Sequence, residues 1–264
     1  MWRFYAEVAR SAFRRQLIYR WANVAGLMAN IFFGVIFSSL IIALFRARST
    51  VASFDVQATL SYTWIVQAMM MVVMTFGWYE LMQTIRSGEV VSDLSKPLDL
   101  SWYWFSRELG RAAYYLVFRG IPTYFIGLLL FRLWLPVVWQ TWLWFAATLA
   151  LAAMLGVVFR YLYNIVAFWL LEARSAAIMA TLAASFFGGS YIPIPFFPNW
   201  LRTLDAWLPF NGMLNLPAEA FLGRLSGSDL AIGFFGQVAW LIALIVLARS
   251  LTARAFRRVV SQGG

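Results

Sequence analysis

The chain contains no histidine and no cysteine. Without imidazole there is no His-ligated zinc or haem and no Ser–His dyad. Without thiols there is no cysteine redox chemistry and no disulfide. Lysine is nearly missing as well, because Lys96 is the single Lys beside 20 Arg. Only 12% of the 264 residues are charged, and only 11 are acidic, against ~25% charged in soluble domains. A soluble fold of this size could not cover its surface with so few polar groups. The hydrophobic content of 62% equally excludes a disordered tail. What is abundant is aromatic: 14 Trp, 11 Tyr and 24 Phe fit belts at a membrane interface.

Six stretches are nearly free of charge: 21–45, 56–79, 112–131 (broken by Arg119), 133–159, 175–201 and 230–248. Each approaches or exceeds the ~20 apolar residues a spanning helix needs. The reading is an all-α membrane protein with six transmembrane helices, roughly 22–45, 57–80, 111–131, 138–160, 167–190 and 230–249. The first run is too long for a signal-peptide core and is read as a retained helix. No internal repeat or long polar linker divides the chain, so 1–264 reads as a single transmembrane domain.

The net charge of +10 lies between the apolar runs rather than on one polar face. That argues for membrane lipids as partners and against nucleic acid. Assigning the six spans puts fifteen basic residues on one side and five on the other, with Arg119 inside a span. The positive-inside rule then places both termini in the cytoplasm, with the chain multi-pass in a bacterial cytoplasmic (inner) membrane. Arg119 is costly inside the membrane. It is expected either to snorkel to the headgroups or to face the bundle, with Glu80 and Glu108 as candidate counter-charges.

Three segments outside the spans carry information. In residues 1–20, Phe4, Val8, Phe13 and Leu17 recur at helical spacing, with Arg10 and Arg14 on another face, as in an interfacial amphipathic helix. Residues 82–100 form a charged connection. There Val90, Val91, Leu94 and Leu98 fall near one helical face, with Arg86, Glu89, Asp93 and Lys96 around it. Pro97 should end this short helix near Ser95. Residues 191–229 hold Pro193, Pro195, Pro198, Pro209 and Pro217. Proline-broken apolar chain cannot face lipid, so this stretch is expected to pack on the bundle as short re-entrant extracytoplasmic helices between spans five and six. Trp200 and Trp207 would lie on the first of these helices, Phe221 on the second, with Phe210 between, and both tryptophans and Phe210 are expected to be shielded.

Catalytic patterns are missing. No acidic pair of DxxD type lies within a span, and Lys96 precedes Pro97 with no glycine-rich loop before it. The chain is therefore not expected to be an enzyme by itself or to bind a cofactor, and any ATP energy must reach it through a partner.

The order of these pieces resembles the permease subunit of an ABC-2-type ATP-binding-cassette transporter, and within it the bacterial branch of drug-resistance-like export permeases. The residues that carry the resemblance are Ile85-Arg86-Ser87-Gly88-Glu89 with Lys96-Pro97-Leu98, and Gly189 through Pro198 with Leu208-Pro209-Phe210. The resemblance implies that Arg86, Glu89, Val90, Val91, Asp93, Leu94, Lys96, Pro97 and Leu98 form a cytoplasmic coupling helix seated on a separate ATPase subunit. It implies that Phe4, Arg10, Phe13 and Arg14 mark the interfacial connecting helix. Pro193, Pro195, Pro198, Trp200, Trp207, Pro209 and Phe210 would belong to the outer cap. ATP and Mg would be bound by two copies of the ATPase, alongside a second permease, the same or a paralogous chain. The implied function is export of an amphipathic or lipid-like substrate (drug, lipid, glycan or peptide). The alternative is a secondary transporter or channel subunit, which would call for paired charges at mid-membrane.

Overall fold

The computed structural model describes residues 2–47, 49–74, 78–94, 99–170, 172–225 and 227–257, with backbone alone at Asp93 and Leu94. Helix dominates from the first turn. α1 (Trp2–Ile18) is followed, after a break at Tyr19, by α2 (Arg20–Ala47). α3 (Val56–Val73) starts on Asp55, whose carboxylate accepts the Ala58 N–H at 2.7 Å. Two short helices come next, α4 (Glu80–Arg86) and α5 (Val90–Leu94), joined through Gly88 at φ +79°. α6 (Leu100–Tyr115) starts on Asp99, whose carboxylate accepts the Trp102 N–H at 3.0 Å. α6 runs through a wide π turn (Leu116–Gly120) directly into α7 (Ile121–Leu130).

The second half contains α8 (Trp139–Ile165), extended by a 3₁₀ turn at Val166–Phe168, and then α9 (Ala173–Phe187). A 3₁₀ turn (Ile194–Phe196) leads to α10 (Asn199–Ala206) and α11 (Asn215–Phe221). α12 (Gly227–Phe256) closes the bundle.

Five helical stretches are long and apolar enough to cross a membrane: Arg20–Ala47, Val56–Val73, Leu100–Leu130, Trp139–Phe168 and Gly227–Phe256. They match five of the six expected spans, with changed ends. The second stops at Val73 instead of near 80. The third starts at Leu100, eleven residues before the expected 111, because the polar residues of α6 are paired within the protein. The expected span at 167–190 is the largest difference. α9 has 15 residues, or ~22 Å of helix against a ~30 Å hydrocarbon core. It ends at Gly188 and Gly189, and Gly189 sits at φ +81°, a left-handed conformation that suits glycine.

α3 is the axis of the packing. Trp64, Tyr62, Met69 and Val73 on α3 are fully buried, together with Leu155 and Ile165 on α8 and Phe221 on α11. Trp64 Nε1 donates to Ser38 Oγ on α2 at 2.9 Å, and Tyr62 OH donates to Asn215 Oδ1 on α11 at 2.8 Å. α8 meets the end of α3 so closely that a Cβ on Gly156 would lie 2.0 Å from the Val73 carbonyl oxygen. α1 lies against α6 by the same device, with Gly110 facing the Ala9 carbonyl. α2 and α12 instead leave most of their apolar surface uncovered.

Candidate functional site

α4 begins at the level where α3 ends, and four other elements converge there. The α4 N-terminus lacks a side-chain cap from its own Tyr79. Asn164 on α8 supplies one instead, accepting the Met82 N–H at 3.0 Å. Glu80, in the first turn of α4, is met by three guanidiniums. Arg107 Nη2 lies 2.5 Å from Oε1, Arg15 Nη1 3.2 Å from the same oxygen, and Arg111 Nη2 3.5 Å from Oε2. Burial works against the Glu80 carboxylate, but Arg107, Arg15 and Arg111 outweigh it and hold its pKa below the ordinary value.

A second, deeper carboxylate continues the network. Glu108 on α6 pairs with Arg160 Nε at 2.8 Å and with Arg111 Nη1 at 3.5 Å. Arg160 and Glu108 are both buried. Arg160 also donates to the Val73 carbonyl, one of the acceptors left open where α3 ends. Two carboxylates and four arginines thus tie α1, α3, α4, α6 and α8 together. Stacking adds to the hold: Arg107 sits over the Trp104 ring at 4.5 Å and Arg111 over Trp78 at 4.6 Å.

The residues expected to couple to a partner hang from this junction. Arg86 and Glu89 are exposed, and α5 is described as far as Leu94. Val90 and Val91 separate, however. Val90 is buried in the chain's own core, while Val91 is 44% exposed. Of the two valines, Val91 is the one turned outward. Lys96, Pro97 and Leu98 lie outside the described residues, as do the side chains of Asp93 and Leu94. On α1, Phe13 packs edge-on against Tyr114 at 5.5 Å, while Phe4, Arg10 and Arg14 face outward.

Arg119 takes the bundle-facing of its two expected placements, without the counter-charges named for it. It pairs with neither Glu80 nor Glu108, and it is buried rather than directed to headgroups. The π turn directs it onto α2, where Nη2 donates to the Gly26 carbonyl at 2.7 Å and to Asn30 Oδ1 at 3.0 Å.

The opposite end of α3 carries the proline-rich segment. Pro209 is buried, Pro193, Pro195 and Phe210 are half-buried, and Pro198 is exposed. Trp200 and Trp207 stand 70% and 77% exposed, so α10 does not shield them within one chain. α11 is the buried half of the segment, with Leu216 and Phe221 in the interior. A hydrogen-bonded line runs from Tyr62 to Asn215, from Asn215 Nδ2 to Asn211 Oδ1 at 3.3 Å, and from Asn211 Nδ2 to Asp205 Oδ2 at 2.7 Å. Among the described residues, Asp205 Oδ1 and Gln237 Oε1 are buried without a hydrogen-bond partner. Burial raises Asp205 to a pKa of about 6 and raises Glu219 as well. Beside them, Asn211, Asn215, Glu219, Asp229 and Gln237 line a cavity of about 410 Å³ between α11 and α12.

The model of a family described as ABC-2 family transporter protein matches residues 29–263. The chain belongs to that family. A search of curated proteins found no match. It is a multi-pass membrane component, and membership of that family implies partnership with an ATP-binding subunit, the family leaving ATP hydrolysis to separate subunits. The junction around Glu80 lay beyond reach of the sequence, since Glu80, Arg15 and the Arg107–Arg111 pair come from three separate segments. The one local signal was the i,i+4 repeat of Arg107 and Arg111 beside Glu108.

Proposed function

We propose that this chain is the permease of a bacterial inner-membrane exporter, moving an amphipathic or lipid-like substrate outward. The energy comes from ATP hydrolysis in two copies of a separate subunit, which holds ATP and Mg. A second permease, identical or paralogous, completes the pathway. In this reading α9 with its flanking chain is the sixth crossing, α10 and α11 form the outer cap, and both termini are cytoplasmic.

The observation that carries the reading is the Glu80 junction. The two-helix hairpin α4–α5 is bonded directly to α1, α6 and α8, and through Arg160 of α8 to the end of α3. A push on α5 by a bound ATPase would therefore reach three spans through short, charged contacts. No carboxylate pairs with Arg119 among the described residues, which weighs against an ion-coupled pathway at mid-membrane.

Co-purification with the ATPase subunit tests the docking. Val91→Asp places a carboxylate in a desolvated contact, at several kcal/mol. The variant should insert normally yet lose ATPase binding or ATPase-coupled transport. Full binding and full transport by Val91→Asp would overturn α5 as the docking element. Reporter fusions at Ser49 and Gly227 should read outside, and one at Ser261 inside.

A further inference from the structure

A pocket of about 310 Å³ opens between α1 and α6, beside the Glu80 junction. Its walls are Val8, Ser11, Ala12 and Gln16 of α1 and Tyr103 of α6, and Arg15, Arg107, Arg111 and Glu80 supply its charges. Three guanidiniums face one carboxylate. Arg111 is shared with the deeper carboxylate, Glu108, which also pairs with Arg160. Four guanidiniums against two carboxylates leave the cluster with a net charge of +2. Glu80 has two oxygens to share, and the 3.5 Å separation to Arg111 against 2.5 Å to Arg107 shows that it does not serve all three equally.

The position of the pocket selects its occupant. α1 is amphipathic and presents Trp2, Phe4, Leu17 and Ile18 outward, as a helix lying on a lipid surface does. Trp2 and Trp102 meet edge-on at 6.0 Å in the first turn of α6, ahead of Arg107 and Arg111 on the same helix. Aromatic residues of this kind mark headgroup depth. A guanidinium cluster there matches phosphate oxygens in charge and in hydrogen-bond geometry. The volume, about ten waters' worth, admits a phosphodiester with part of its headgroup.

We propose that this pocket binds the phosphate group of an anionic phospholipid, with Arg15, Arg107 and Arg111 as its ligands and Glu80 as the competing internal anion. The lipid then wedges α1 against α6 next to the α4–α5 hairpin. This inference stands apart from the exporter reading, because it concerns lipid selectivity of the isolated chain.

The test is native mass spectrometry of the purified chain titrated with phosphatidylglycerol, with phosphatidylcholine as reference. The wild-type chain should prefer phosphatidylglycerol. Arg15→Gln with Arg107→Gln removes two charges and should weaken that preference about thirtyfold. Glu80→Gln removes the competitor and should strengthen it about fivefold. A gain of that sign cannot arise from misfolding, so this variant decides the matter if the double variant folds poorly. Arg202→Gln, on α10 at the other end, should change nothing. An unchanged preference in both junction variants overturns the proposal. Displacement of the lipid by millimolar inorganic phosphate would assign the pocket to a soluble anion and overturn the lipid reading.

Discussion

The two ends of α3 handle charge in opposite ways. At its C-terminal end, Glu80 and Glu108 are met by Arg15, Arg107, Arg111 and Arg160. At its N-terminal end, Asp205 is held by the Asn211 amide, and Asn215 links that amide to Tyr62. Ion pairs fix a geometry, because every displacement separates opposite charges in a medium that screens them poorly. An amide-bonded carboxylate instead keeps a protonation state it can change. The arginine-rich end thus holds a fixed geometry, while the amide end can change its protonation.

Breaking the deepest ion pair should give the largest effect. Arg160→Met leaves the Glu108 carboxylate buried and removes the donor to the Val73 carbonyl. Removing one partner of a buried pair costs about 3–5 kcal/mol. Thermal unfolding in detergent should show a large loss, and adding Glu108→Gln should restore much of it. If the double variant is as unstable as the single, the pair is not what holds α6 to α8.

Contacts that position the junction come next. Gly110→Val drives a side chain into the Ala9 carbonyl, which is backbone and cannot swing away. Overpacking of this kind costs about 1–3 kcal/mol. Hydrogen exchange should show α1 losing protection while α8 and α12 keep theirs. At the amide end, Tyr62→Phe leaves Asn215 Oδ1 without its donor. The expected loss is about 1 kcal/mol, read as a small drop in the unfolding midpoint.

This asymmetry was only partly legible in the sequence. α2 and α12 declare themselves by hydropathy because no charge interrupts them from Trp21 to Phe45 or from Leu230 to Ala248, and most of their surface is uncovered within the chain. α1 was legible from the spacing of Phe4, Phe13 and Arg14. The end of α3 was not. No charge lies between Val56 and Tyr79, and the acceptor exposed at Val73 is satisfied by Arg160, 87 positions away. The same holds for Arg119, whose partners on α2 are backbone and amide groups that carry no charge signal. The burial of Val90 was not legible, because one face of a five-residue helix is too short to reveal which residue the bundle takes. The shortness of α9 came from Gly188 and Gly189 within a run that has no charge from Ser175 to Leu201.

The smallest predicted effect tests the comparison most directly, because the two ends should answer acid with opposite sign. Asp205 has a folded pKa of about 6 against an ordinary 3.8, raised by burial and opposed by the Asn211 hydrogen bond. The folded state therefore binds the proton more tightly, and the stability linked to Asp205 is fully present below about 3.8 and lost as pH rises through about 6. Glu80 is shifted the other way. Its contribution is present above the ordinary value of 4.5 and is lost as pH falls below it. Lowering the pH from 7 to 5 should then raise the unfolding midpoint by a few degrees through Asp205 while leaving the Glu80 cluster intact. Further acid should loosen α1 from α6 as Glu80 becomes neutral. Asp205→Asn should flatten the first phase and spare the second, and Glu80→Gln should do the reverse. A first phase unchanged in Asp205→Asn would show that the amide end does not titrate there.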